Sequence, residues 1–101
     1  MELKEKIIQD INNNKIILYM KGTKEMPMCG FSATVVKILN LYNIDFKAVN
    51  VLEDPNIRIE LSNHSNWPTI PQLFVKGTLI GGCDIALEMH NNGELESILK
   101  Q

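Results

Sequence analysis

The chain has 101 residues, 45% of them hydrophobic, which suits one domain spanning 1–101 that buries roughly two thirds of its unfolded surface without disulfide staples. Ten Lys and Arg against twelve Asp and Glu leave a net charge of -2, and no basic run or aromatic platform marks a nucleic-acid groove. Glu2, Lys4, Glu5, Lys6 and Asp10 interrupt the N-terminal segment as they would not in a signal peptide, and no stretch approaches the ~18 to 20 apolar residues of a membrane helix. The chain therefore reads as cytosolic (cytoplasmic) or as a mature organelle protein, in a compartment that keeps Cys29 and Cys83 reduced.

Leu3, Ile7, Ile8 and Ile11 recur at helical spacing and predict an amphipathic helix that fades into Asn12-Asn13-Asn14. Residues 15 to 20 form a β-branched apolar run, the pattern of a buried strand. Gly22 and Pro27 break the loop from Lys21 to Met28. A helix from about Gly30 to Tyr42 follows, with Phe31, Val35, Val36, Leu39 and Tyr42 on its buried side. Residues 46 to 51 predict a second strand, and Asp54-Pro55 reads as the cap and first turn of a helix to about Ser62. Strand alternating with helix implies a parallel pair joined by a crossover. Beyond Trp67-Pro68-Thr69-Ile70-Pro71, Gln72 to Val75 and Thr78 to Ile80 flank Lys76-Gly77, a hairpin signal that makes the sheet mixed. Gly81-Gly82-Cys83-Asp84 opens a helix through Ala86, Leu87 and Met89, and Asn91-Asn92-Gly93 separates it from a last short helix bearing Leu95, Ile98 and Leu99. There is no internal repeat, low-complexity tract or linker.

Cys29 is the strongest candidate for chemistry. It falls at a strand-to-helix turn, where unpaired backbone N–H groups and about half an elementary charge of positive dipole favour the thiolate. Such surroundings lower a thiol pKa from about 8.5 into the range ~3.5 to 7.5, and the thiolate is both nucleophile and metal ligand. Ser32 stands where a dithiol oxidoreductase would have its second cysteine, so no local Cys-x-x-Cys disulfide can close. Its hydroxyl reads as a helix-start group. His64 and His90 lack metal-ligand spacing and read as surface residues. Trp67 reads as shaping the loop before Pro68, Phe31 as half core and half rim, and Met26 and Met28 as loop or packing residues.

The order of elements resembles the thioredoxin fold, an α/β architecture with a four-stranded mixed sheet flanked by about five helices. The motifs Cys29-Gly30-Phe31-Ser32, Trp67-Pro68-Thr69-Ile70-Pro71-Gln72 and Gly81-Gly82-Cys83-Asp84 narrow the likeness: the chain resembles a monothiol glutaredoxin of the CGFS type. The resemblance implies a glutathione site. Lys21 and Arg58 would hold carboxylates, Thr69, Ile70 and Pro71 would present backbone to the tripeptide, and Gly82, Cys83 and Asp84 would receive its γ-glutamyl end. Gly30 would leave the approach to Cys29 clear beside Phe31. Cys83 would supply its backbone, or its thiol would bond with Cys29 under oxidation.

A two-iron, two-sulfur cluster needs four ligands, normally thiolates. The resemblance implies that Cys29 and glutathione supply two from each half of a homodimer, that the 2Fe-2S cluster passes to apo iron-sulfur proteins, and that BolA-type proteins are heterodimer partners. The competing expectation is a glutathione-dependent thiol-disulfide oxidoreductase that removes glutathione from proteins by a monothiol mechanism.

Overall fold

Strand β1 (Ile16–Met20) is buried at every position, because helices cover both faces of the sheet at its centre. Its side chains alternate: Ile16, Leu18 and Met20 enter one apolar cluster, Ile17 and Tyr19 the other. The structure is a computed structural model that describes residues 2–101. Around β1 it arranges α1 (Leu3–Asn13), α2 (Gly30–Leu41), β2 (Lys47–Asn50), α3 (Pro55–Ser65), β3 (Gln72–Val75), β4 (Thr78–Gly81), α4 (Cys83–Asn92) and α5 (Glu94–Leu99). The strand order is β2-β1-β3-β4, with β1 parallel to β2 and antiparallel to β3, and β3 antiparallel to β4. This is the mixed four-stranded sheet that the sequence predicts.

One layer packs Val35, Val36 and Leu39 of α2 with Ala86 of α4 and Leu95 and Leu99 of α5 against Leu18, Met20 and Leu73. The other packs Ile7 and Ile11 of α1 and Leu61 of α3 against Ile17, Tyr19 and Phe74. Tyr19 and Phe74 meet edge to face, their ring centroids 5.9 Å apart. Among the described residues no helix is long and apolar enough to cross a membrane.

Several boundaries differ from the sequence reading for local reasons. After β2 the chain tightens into a 3-10 turn at Val51–Glu53, where Asn50 Oδ1 accepts from Leu52 N–H at 3.0 Å. Asp54 caps α3 as expected, accepting from Asn56 N–H at 2.9 Å with Pro55 in the first turn. The helix runs three residues past Ser62 to Ser65, because Asn66 takes the left-handed conformation and returns its N–H to Ser62 O. Phe31 lies outside the core at 62% exposure, so α2 buries Val35, Val36 and Leu39 without it.

The segment before Cys29 is a tight double reversal. Thr23 and Met26 exchange backbone hydrogen bonds at 3.1 Å, Met28 N–H donates to Lys21 O at 2.8 Å, and Gly22 N–H donates to Asn50 Oδ1 at 2.9 Å. Gly22 has φ +93°, and a Cβ there would lie 2.4 Å from Met26 O and 2.6 Å from Met28 N. Both contacts are backbone, so the loop itself would have to move. Gly22→Ala is therefore expected to cost about 1–3 kcal/mol. At about 4–8 °C of thermal midpoint per kcal/mol for a domain this size, the loss is measurable by thermal denaturation; an unchanged midpoint would contradict the packing described.

Candidate functional site

The chemistry of the site begins with Cys29 as the N-cap of α2, in extended conformation (φ −151°), its carbonyl accepting from Ala33 N–H at 2.9 Å. Its sulfur is held below the ordinary thiol range chiefly by the backbone N–H groups of Ser32 and Phe31, with smaller help from the Lys21 charge and the Ser32 hydroxyl. Slight burial opposes this without reversing it. Ser32 is fully buried, and its Oγ accepts from Lys21 N–H at 3.2 Å, tying the end of β1 to the first turn of α2. Met26, Met28 and Phe31, close to Cys29 in sequence, are exposed and give this segment an apolar rim. A Cβ at Gly30 would meet nothing within 4 Å, so that side of Cys29 is open.

A cleft of about 230 Å³ adjoins this rim, lined by Phe31, Trp67, Thr69, Ile70, Pro71, Gly82, Cys83, Asp84 and Ile85. Three segments distant in sequence thus meet as the motifs predicted. The Ile70–Pro71 peptide is cis. Gln72 fixes the turn from beneath: fully buried, its Nε2 donates to Trp67 O at 2.9 Å and Thr69 O at 3.2 Å. On the opposite wall Gly82 caps α4, and Cys83 and Asp84 occupy its first turn. Burial pushes the Cys83 thiol up, the Asp84 and Cys29 charges add to this, and a hydrogen bond with the Thr34 side chain partly offsets it. The two free cysteines are therefore shifted in opposite directions.

Lys21 and Arg58 lie together in a second hollow, with Val51, Leu52, Pro55 and Ile59, rather than on the wall of the cleft. The Arg58 guanidinium donates to Pro68 O at 3.3 Å, which connects α3 to the cis-proline turn. Trp67, read from sequence as only shaping its loop, forms part of the cleft wall. His90 is not a free surface residue: it is half-buried, its Nδ1 lies 2.5 Å from Tyr42 Oη, and the two rings meet edge to face. Sequence reasoning missed Gln72, Thr34 and Asn50, polar residues whose partners lie on other elements.

A single activated thiol at the start of α2, two residues before Phe31 on the cleft wall, on this four-stranded mixed sheet, defines a thioredoxin-fold protein of the thiol-dependent class. The glutaredoxin family model matches residues 16–80. The chain is 57% identical over 96 residues to a probable monothiol glutaredoxin 2 of Rickettsia felis, covering 95% of this chain and 92% of that one. The solution structure of reduced poplar apo GrxS14 superposes with a TM-score of 0.86 at 45% identity, over 97% of this chain and 90% of that one. The crystal structure of a buckwheat glutaredoxin–glutathione complex also gives 0.86, at 25% identity, over 97% and 87%. The chain belongs to the glutaredoxin family, and with Ser32 in place of a second cysteine it is a monothiol glutaredoxin.

The opposite shifts predict selective alkylation. As pH rises, Cys29 ionises before an ordinary thiol and Cys83 after it, so iodoacetamide near neutrality labels Cys29 first. Peptide mass mapping against pH checks this; coincident labelling curves for the two cysteines would contradict it.

Proposed function

We propose that this monothiol glutaredoxin binds glutathione along the cleft and carries a 2Fe-2S cluster as cargo between two chains, for transfer to apo iron-sulfur proteins. One observation carries the reading: Cys29 is partly exposed and favours the thiolate, whereas the other free cysteine, Cys83, is shifted the opposite way. Among the described residues no group of three or more His, Cys, Asp or Glu could hold a metal ion. The donor set of one chain thus fits one ligand of the four such a cluster takes. Glutathione docked beside Cys29 supplies a second thiolate, and a second chain repeats both. Because half of the ligands belong to a dissociable tripeptide, the cargo is held loosely enough to be passed on.

The buckwheat relative's complex with glutathione supports the first half of this reading. Here Ile70, which precedes the cis proline, offers its backbone to the tripeptide as an added strand would. The backbone N–H groups of Cys83 and Asp84 take the γ-glutamyl carboxylate at the start of α4, and the Asp84 side chain takes the ammonium. Lys21 and Arg58, from their shared hollow, attract the glycine carboxylate. A BolA-type protein is the proposed heterodimer partner, and the cytoplasm the proposed location.

The same partly exposed, thiolate-favouring sulfur also supports a glutathionyl-transfer reading. Cys29 would attack the glutathione sulfur of a protein mixed disulfide, releasing the protein thiolate. A second glutathione thiolate would then attack the Cys29 mixed disulfide, leaving as glutathione disulfide and restoring Cys29. Turnover in a glutathione-coupled mixed-disulfide assay comparable with that of a dithiol glutaredoxin would favour this second reading.

Anaerobic reconstitution with iron, sulfide and glutathione tests the carrier. Wild type and Cys83→Ser are expected to develop the cluster's visible absorption, and Cys29→Ser to lose it. A Cys29→Ser protein that kept the absorption would rule out the ligand assignment.

A further inference from the structure

Trp67 carries a buried donor that the free chain leaves unused. Its indole Nε1–H is closed off from solvent and has no hydrogen-bond partner. An unmade hydrogen bond of this kind costs about 1–3 kcal/mol, and here it falls on the wall of the cleft. The backbone around it is fixed: Trp67 N–H donates to Ser65 Oγ at 3.2 Å, and Trp67 O accepts from the buried Gln72 amide at 2.9 Å.

What stands beside the indole nitrogen is Gly82, the N-cap of α4. A Cβ at Gly82 would lie 3.6 Å from Nε1 and 3.2 Å from Pro71 O, so any larger residue there would close over the ring nitrogen. The next two residues, Cys83 and Asp84, begin the helix, and the free N–H groups of a helix start favour an anion. An unpaired donor, a glycine that places no side chain against it and a helix start therefore converge on one end of the cleft.

We infer that Trp67 is a further ligand-contacting residue, whose indole N–H donates to the α-carboxylate at the γ-glutamyl end of glutathione. The inference rests on the glutathione reading above. The carboxylate pairs the orphaned donor and shares it with the N–H groups of Cys83 and Asp84, so Trp67 adds selectivity for that carboxylate rather than for the rest of the tripeptide.

The test compares two ligands in wild type and Trp67→Phe, which keeps an aromatic ring and deletes the donor. The ligands are glutathione and 4-aminobutyryl-cysteinyl-glycine, which lacks only the α-carboxylate. Titration calorimetry is expected to show Trp67→Phe binding glutathione about 5- to 10-fold more weakly, an ordinary hydrogen-bond loss, and the analogue as weakly as wild type does. Trp67 is the chain's one tryptophan, so its fluorescence in unmutated protein provides a second measurement: glutathione should change the emission, and the analogue should change it less. Equal affinity of the two proteins for glutathione, equal weakening for both ligands, or the same emission change with both ligands would overturn the inference. Wild type that binds no glutathione would instead fail the proposed function itself, and this inference with it.

Discussion

Everything in this molecule that can do chemistry depends on the backbone N–H groups at the start of α2 facing one sulfur. Cys29 is partly exposed, and its ionisation is favoured chiefly by the Ser32 and Phe31 N–H groups, against an opposing effect of burial and with smaller help from Lys21. Those donors are in place because β1 is buried along its length and ends at Met20, fixing where Lys21 begins. From there the Lys21 N–H bond to Ser32 Oγ and the Met28 N–H bond to Lys21 O close a short circuit around the cysteine. Ser32 thus has a structural duty in place of a redox one. A thiol at that position could not accept as good a hydrogen bond from Lys21, so the monothiol character and the geometry of the site are coupled.

The second wall of the site has its own support. Gln72 is a polar side chain in a fully buried strand position, which is costly unless its amide is used. Its Nε2 spans the carbonyls of Trp67 and Thr69 and so shapes the turn that presents Ile70 and Pro71. Arg58 contacts the same turn through Pro68 O. The turn is thereby held from the sheet and from α3, while Asn50 ties the end of β2 to Gly22 on the other side of Cys29. The two cysteines inherit opposite environments from this frame: one at an open helix mouth, the other beside Asp84 in a partly enclosed wall. The proposed function asks a thiolate ligand of the first alone.

Much of this was legible in the sequence because the signals were strong and local. The apolar run at 15 to 20, the Asp54-Pro55 cap and the Lys76-Gly77 hairpin each have one physical reading, and each matches an observed element. Residues of all three motifs line one cleft, Phe31, Thr69, Ile70, Pro71, Gly82, Cys83 and Asp84, while Lys21 and Arg58 lie in another hollow. What escaped was tertiary. Helical periodicity assigned Phe31 to the buried side of α2, whereas the first turn of that helix opens on the cleft. His90 and Tyr42 are 48 residues apart in sequence, and neither neighbourhood announces their contact. Trp67 was read from its own loop, yet its indole nitrogen stands beside Gly82, the N-cap of another element. The end of α3 was misplaced because Asn66 ends it by adopting a left-handed conformation, a backbone choice that Ser62 does not reveal.

The central claim of the proposed function is that each chain together with its bound glutathione contributes half of a coordination shell, one thiolate from Cys29 and one from the tripeptide. The most direct measurement is the native mass of anaerobically purified protein together with its iron, sulfide and glutathione content. The account predicts a dimer with iron, sulfide, glutathione and chains in equal numbers. A monomeric species carrying the cluster, or a dimer whose cluster comes without glutathione, would contradict it.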